Sequence, residues 1–161
     1  MKPPTLRDGQ EQAFEHSEYL SRMTRVQQEL RNDGLAGVVL FGPDNILWLT
    51  GFQTVAHFTF QCLYLPSTGL PTLITRKVNS SIARITPTLK DTVLWGPGES
   101  PLMVATAHLG ELVPEGAVSG IDTHSWSLSV AEYKQLIDSC DAEFVDWKRH
   151  TETLRVVKSD A

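Results

Sequence analysis

Asp33-Gly34-Leu35-Ala36-Gly37-Val38-Val39-Leu40-Phe41-Gly42-Pro43-Asp44 is the stretch from which the fold is read. Leu35 to Phe41 is a continuous apolar run without a polar face. That is the pattern of a strand covered on both sides, in a sheet with layers above and below. Asp33-Gly34 closes whatever precedes it, because glycine accepts the left-handed conformation that ends helices. Gly42-Pro43 breaks the strand, and Asp44 is expected to cap a short helical turn from Asn45 to Leu49. Gly51 is expected to close that turn with a positive φ.

Upstream, Tyr19, Met23, Val26 and Leu30 recur at spacings of four, three and four. They form one apolar stripe on a helix expected over residues 17–32. Ser17 is the expected cap, and Glu18 suits the positive end of the helix dipole. Downstream, residues 58–65 and 72–75 read as strands joined by a Pro/Gly-containing hairpin loop over 66–71. A weak helix is expected over 79–85, then a strand over 92–95 that Gly96-Pro97-Gly98 terminates. Ser100-Pro101 opens a helix as cap and first-turn proline. A short strand follows at 118–121. Ser129 and Glu132 form a capping box for a further helix, and 143–145 supply a last strand. Strands alternating with helices, with one hairpin inserted, define an α/β fold: a three-layer α/β/α sandwich around a mixed sheet.

A chain of 161 residues with 41% hydrophobic and 20% charged residues describes one ordinary domain. Its formal net charge is −5, and its Lys and Arg residues are scattered, the tightest cluster being Lys148-Arg149. Phosphate-backbone binding requires clustered basic residues, so nucleic acid is not expected as a partner. No run approaches a membrane span, and Met1 to Ala13 lacks the apolar core of a leader. The expectation is a cytoplasmic protein with no membrane partner. Cys62 and Cys140 are too few and too far apart for a disulfide framework or a zinc knuckle, and are read as reduced thiols.

Chemistry-bearing motifs are sparse. His16, His57, His108, His124 and His150 form no metal-ligand spacing with one another, and no nucleophile elbow or phosphate-cradling loop occurs. Asp44, Asp122 and Asp146 follow expected strands. Acids so placed can converge on divalent metals, as in a nuclease of ribonuclease H-like shape, although the acidic surface offers no groove for a nucleic-acid backbone. The segment from Asn45 to Phe60 interleaves Trp48, Phe52, His57, Phe58 and Phe60 with Gln53, Thr54 and Thr59. That mixture suits a contact surface or pocket wall. Trp48 and Phe60 are expected in the core, whereas His57 reads equally as a site-facing imidazole or a satisfied structural one.

Two segments carry a family resemblance. Pro43-Asp44-Asn45-Ile46-Leu47-Trp48-Leu49-Thr50-Gly51-Phe52 resembles the Pro-x-Asn-Ile-x-Tyr-Leu-Thr-Gly-Phe/Tyr segment of the creatinase/aminopeptidase P/prolidase group, with Trp48 in the usual tyrosine place. Leu154-Arg155-Val156-Val157-Lys158-Ser159 resembles the junction that leads into the catalytic domain of those enzymes. The resemblance implies the creatinase-type, ribonuclease H-like N-terminal fold over residues 14–153. It also implies a flexible tail over 1–13 and the start of a linker over 154–161.

What else the resemblance implies is functional. The parent would be a Xaa-Pro dipeptidase- or aminopeptidase-like metallohydrolase. Its divalent metal (Mn, Co or Zn) and catalytic residues would lie in a C-terminal domain beyond Ala161, with no catalytic or metal-binding residue in the present stretch. This domain would serve oligomerisation, as a dimer, and substrate access, with its own catalytic domain as partner. Phe52, Gln53, His57, Phe58 and Thr59 would contact the neighbouring subunit or its substrate. Aligned on Thr50-Gly51-Phe52, the Phe and Arg with which creatinases reach the neighbour's substrate fall at His57 and Thr59. Threonine cannot replace a bidentate guanidinium, so creatine is not the expected substrate. Two alternatives stay open: the same domain in a creatinase- or ectoine hydrolase-like C–N hydrolase, and a stand-alone binding module.

Overall fold

The computed structural model describes residues 13–54, 57–148 and 150–157. The tail expected over 1–13 therefore lies outside the described residues, Ala13 apart.

Helix α1 spans His16–Asn32 and ends in a Schellman arrangement. Gly34, at φ +69°, donates to the Arg31 carbonyl at 3.1 Å, and Leu35 donates to that of Leu30 at 2.8 Å. The cap at its start is Glu15, with no side-chain hydrogen bond, so Ser17 sits inside the helix and does not cap it. The chain then enters β1, Gly37–Leu40, buried throughout. Helix α2, Pro43–Thr50, begins one residue before Asp44, with Gly42 at the cap and Pro43 at the first helical position. Proline there loses no helical hydrogen bond, so the helix starts at Pro43. Asp44 is thereby freed from the capping role expected of it.

Strands β2 (Cys62–Pro66) and β3 (Thr72–Arg76) form the expected hairpin. Regular pairing in β2 begins only at Cys62, so Phe58 to Gln61 precede the strand. A 3₁₀ turn over Lys77–Asn79 runs into α3, Ser80–Arg84, and then β4, Asp91–Trp95. Helix α4, Pro101–Leu112, takes its cap from Ser100, whose side chain accepts from the Met103 amide. Strand β5 covers Val118–Ile121. Helix α5, Val130–Ser139, carries the complete Ser129–Glu132 capping box. Strand β6 spans Glu143–Asp146. Helix α6, His150–Val156, had no counterpart in the sequence reading.

The six strands form one mixed sheet in the order β4-β3-β2-β1-β5-β6, leaving β4 and β6 at its edges. β1 pairs antiparallel with β2 and parallel with β5, while β3–β4 and β5–β6 are parallel. Strand alternation splits the core in two. Val38, Leu40, Leu63, Leu65 and Leu73 face α1, α2 and α3 with Met23, Leu30, Ile46 and Trp147. Val39, Phe41, Cys62, Tyr64 and Ile74 face Leu102, Ala105, Leu109 and Leu136 of α4 and α5. Each fully buried aliphatic chain contributes about 1.5–3 kcal/mol. The three-layer α/β sandwich is present as expected, and no helix among the described residues is long and apolar enough to cross a membrane.

Gly51 closes α2 at φ +72°. A Cβ there would come 2.9 Å from the Tyr19 ring. The Thr-Gly-Phe corner is thus fixed both by a left-handed backbone and by the close approach of α1.

Candidate functional site

The expected contact segment leaves the core at Phe52 and returns to it at β2. Phe52 is 1% exposed and belongs to the core facing α1, so its side chain anchors the segment and does not face outward. Its amide donates to Thr50 Oγ1 at 3.0 Å. The Thr50 carbonyl accepts from Thr88 Oγ1 at 2.6 Å, which locks the corner against the segment before β4. Thr54 Oγ1 donates to Asn79 Oδ1 at 3.1 Å, and Asn79 Nδ2 donates to Thr75 Oγ1 at 2.9 Å. A buried polar chain therefore fastens the outgoing limb to β3.

On this rigid base Gln53 and His57 are exposed. Phe58 is 95% exposed. Thr59 is partly buried. The return limb is anchored by Phe60, whose ring packs edge-on against Phe41 with centroids 6.1 Å apart, and whose carbonyl accepts from Trp95 Nε1 at 3.3 Å. Phe60 and Trp48 are both partly buried against the core, as expected. His57, Phe58 and Thr59 thus follow one another in a short turn between two anchored limbs.

The three acids that follow strands have separate fates. Asp44 forms an ion pair with Arg155 of α6. Asp146 Oδ1 accepts from Thr123 Oγ1 at 2.7 Å and from the Lys148 amide at 3.0 Å. Desolvation pushes the Asp146 carboxyl up, but these hydrogen bonds and the nearby His124 and Lys148 charges outweigh it and leave the group below its ordinary value. Asp122 is buried at the end of β5. Burial, then the Glu152 charge, raises its carboxyl above the usual range. No group of three or more His, Cys, Asp or Glu side chains among the described residues is placed to hold a metal ion. Among the described residues, Asp44, Asp122 and Asp146 therefore do not form the two-metal arrangement of a nuclease.

Sequence reading missed what α6 does. Arg155 donates to Asn45 Oδ1 at 2.6 Å, and Asn45 Nδ2 donates to Glu152 Oε1 at 3.3 Å. Arg25 reaches the Leu154 carbonyl at 3.2 Å, and Trp147 Nε1 donates to Thr151 Oγ1 at 2.9 Å. The two segments that carry the family resemblance, Asp44-Asn45 and Leu154-Arg155, are therefore in direct contact. Their joint appearance in one sequence was the available signal.

Arg22 supports the same corner from α1. Its guanidinium lies 4.1 Å from the Phe14 ring centroid and 5.6 Å from that of Trp48. It also donates to Glu18 at 2.8 Å and to the Trp48 carbonyl at 3.1 Å. A planar cation satisfies both the rings and the carbonyl, which accounts for arginine at this position.

A mixed six-stranded sheet between two helical layers, with an anchored Thr-Gly-Phe corner and a helix returning to the Asp-Asn turn, defines an α/β domain of the three-layer class. The chain belongs to the Creatinase/Prolidase N-terminal domain family, whose model matches residues 22–157. It is 26% identical over 157 residues to an ectoine hydrolase of Halomonas elongata, covering 91% of this chain and 39% of that protein. Its fold superposes on a prolidase from Thermococcus sibiricus with a TM-score of 0.71 at 23% identity, covering 88% of this chain and 38% of that one. It also superposes on the N-terminal domain of a Xaa-Pro dipeptidase from Lactobacillus brevis, with a TM-score of 0.67 at 18% identity, covering 84% and 99% respectively. The chain thus spans about two fifths of the two longer relatives.

Proposed function

We propose that this chain is the non-catalytic, oligomerising and substrate-access domain of a cytoplasmic C–N bond hydrolase of the Xaa-Pro dipeptidase type, assembled as a homodimer. A divalent metal and the reacting groups would belong to a C-terminal catalytic domain. The observation that carries the reading is the turn bearing His57 and Phe58, raised on two anchored limbs with the Phe58 ring 95% exposed. Such a ring is stabilised by burial against another surface. In this reading that surface is the mouth of the neighbouring subunit's active site, where the His57 imidazole hydrogen-bonds a peptide or amide substrate.

A second reading, a C–N hydrolase of non-peptide substrates, is favoured by the identity with ectoine hydrolase over 91% of the chain. The two are separated by assaying the complete enzyme on Xaa-Pro dipeptides and on ectoine. The access role is tested in the same enzyme by His57→Ala and Phe58→Ala. Each is expected to lower kcat/KM at least tenfold without changing subunit stability. Wild-type kcat/KM in both variants would overturn the role of the turn.

A further inference from the structure

Asp122, at the end of β5, is 1% exposed, and the charge of Glu152 on α6 acts on it. Each carboxyl group has one oxygen served by an N–H. Asp122 Oδ1 accepts from the His124 amide at 3.1 Å, and Glu152 Oε1 accepts from Asn45 Nδ2 at 3.3 Å. The remaining oxygens, Asp122 Oδ2 and Glu152 Oε2, are both buried without a hydrogen-bond partner. Two ionised carboxylates placed so would repel each other, and each would keep a desolvated oxygen with no donor. A single proton removes both defects, because it supplies the donor that the two oxygens lack.

We infer that Asp122 keeps its proton in the seated state and donates it to Glu152, and that this proton latches helix α6 onto the end of the sheet between β1 and β5. The surrounding groups leave the task to the pair. From α2, Asp44 adds a further negative charge acting on Asp122. From α6, Arg155 is engaged by Asp44 and Asn45. From the loop after β5, the His124 amide and charge oppose the rise of the Asp122 carboxyl without reversing it, and the ring lies toward Thr123 and Asp146, with Nδ1 3.3 Å from Thr123 Oγ1 and 3.7 Å from Asp146 Oδ1.

The direction of the pH effect follows from the geometry. Burial and then the Glu152 charge raise the Asp122 carboxyl in the seated state. The seated state therefore binds a proton that the open state releases. Seating is complete near the ordinary aspartate value of about 3.9 and weakens as pH rises through the raised one.

The test is hydrogen exchange of the α6 amides in this chain between pH 4 and 8, corrected for the intrinsic exchange rate, together with ¹³C-carboxyl titration of Asp122. With one proton linked, protection is expected to fall by up to tenfold per pH unit above the point where loss begins. Asp122→Asn places an amide donor where the proton sits, and Glu152→Gln does so from the other side. Each variant is expected to keep α6 protected and pH-independent up to pH 8, and either one suffices should the other fail to fold. A flat wild-type profile, or a wild-type slope retained in the variants, would overturn the proton latch. Recovery of wild-type protection at pH 8 on adding millimolar Mg²⁺ or Mn²⁺ would overturn it too, by assigning the pair to a cation.

Discussion

Arg155 of α6 donates to the Asn45 side-chain oxygen at 2.6 Å, while the amide end of the same Asn45 donates to Glu152. Asn45 is buried and mediates between the first turn after β1 and the last described helix. Asn45→Ala removes a donor and an acceptor at once and leaves their partners unserved. The expected loss is about 1–3 kcal/mol, read as a lower urea midpoint. Asp44→Ala removes a largely exposed ion pair and is expected to cost less, about 0–1 kcal/mol. Equal losses for the two would contradict the mediating role of Asn45.

The Thr-Gly-Phe corner gives a second prediction. Gly51→Ala places a Cβ on a left-handed backbone, which costs about 1–2 kcal/mol, and drives it into the Tyr19 ring 2.9 Å away. The total is expected to exceed the backbone cost alone. In the Tyr19→Leu background the alanine penalty is expected to shrink toward that cost, which a double-mutant cycle in thermal unfolding would report.

Exposure separates the raised turn from the core beneath it. His57→Ala and Phe58→Ala in this chain are expected to change stability by less than about 0.5 kcal/mol. Phe52→Ala, a few residues away but fully buried, is expected to cost about 3–5 kcal/mol. Denaturant midpoints of the three variants check this. A large loss from His57→Ala would make that residue structural.

Asp146 predicts an acid-side effect. Its folded carboxyl is held below the ordinary value, so the folded state binds a proton less readily than the unfolded one. The stability it contributes is present above the unfolded value of about 3.9 and lost as pH falls through the depressed value. Asp146→Asn is expected to flatten the stability profile below pH 4 relative to wild type. Thermal unfolding at a series of pH values between 2 and 6 measures it.

Local signals in the sequence were read well where the physics is local. The stripe from Tyr19 to Leu30, the cap at Ser100, the Ser129–Glu132 box and the apolar run of β1 all appear where spacing put them. The errors are equally physical. Ser17 and Asp44 are good caps by type, but Glu15 and the Gly42-Pro43 pair start those helices instead. Helix α6 is short and weakly patterned, and it is held by Asn45, Arg25 and the sheet end, partners its own sequence does not reveal. The Asp122–Glu152 pair was invisible for the same reason: each acid alone looks like an ordinary loop or helix carboxylate. Strand order was unreadable because every strand here is too short to specify its neighbour. Between Phe52 and Phe60, the exposure of Gln53, His57 and Phe58 agrees with the mixed composition of the segment, but the inward turn of Phe52 was not legible.

The sheet order has a consequence for how copies of this chain can meet. Edge strand β6 begins at Glu143 and ends at Asp146. If two copies zipped together antiparallel along that rim, Glu143 of each would stand opposite Asp146 of the other, setting like charges face to face. Such a rim resists growth of the sheet from one molecule into the next. Ribbon-like stacking along this edge is thereby disfavoured.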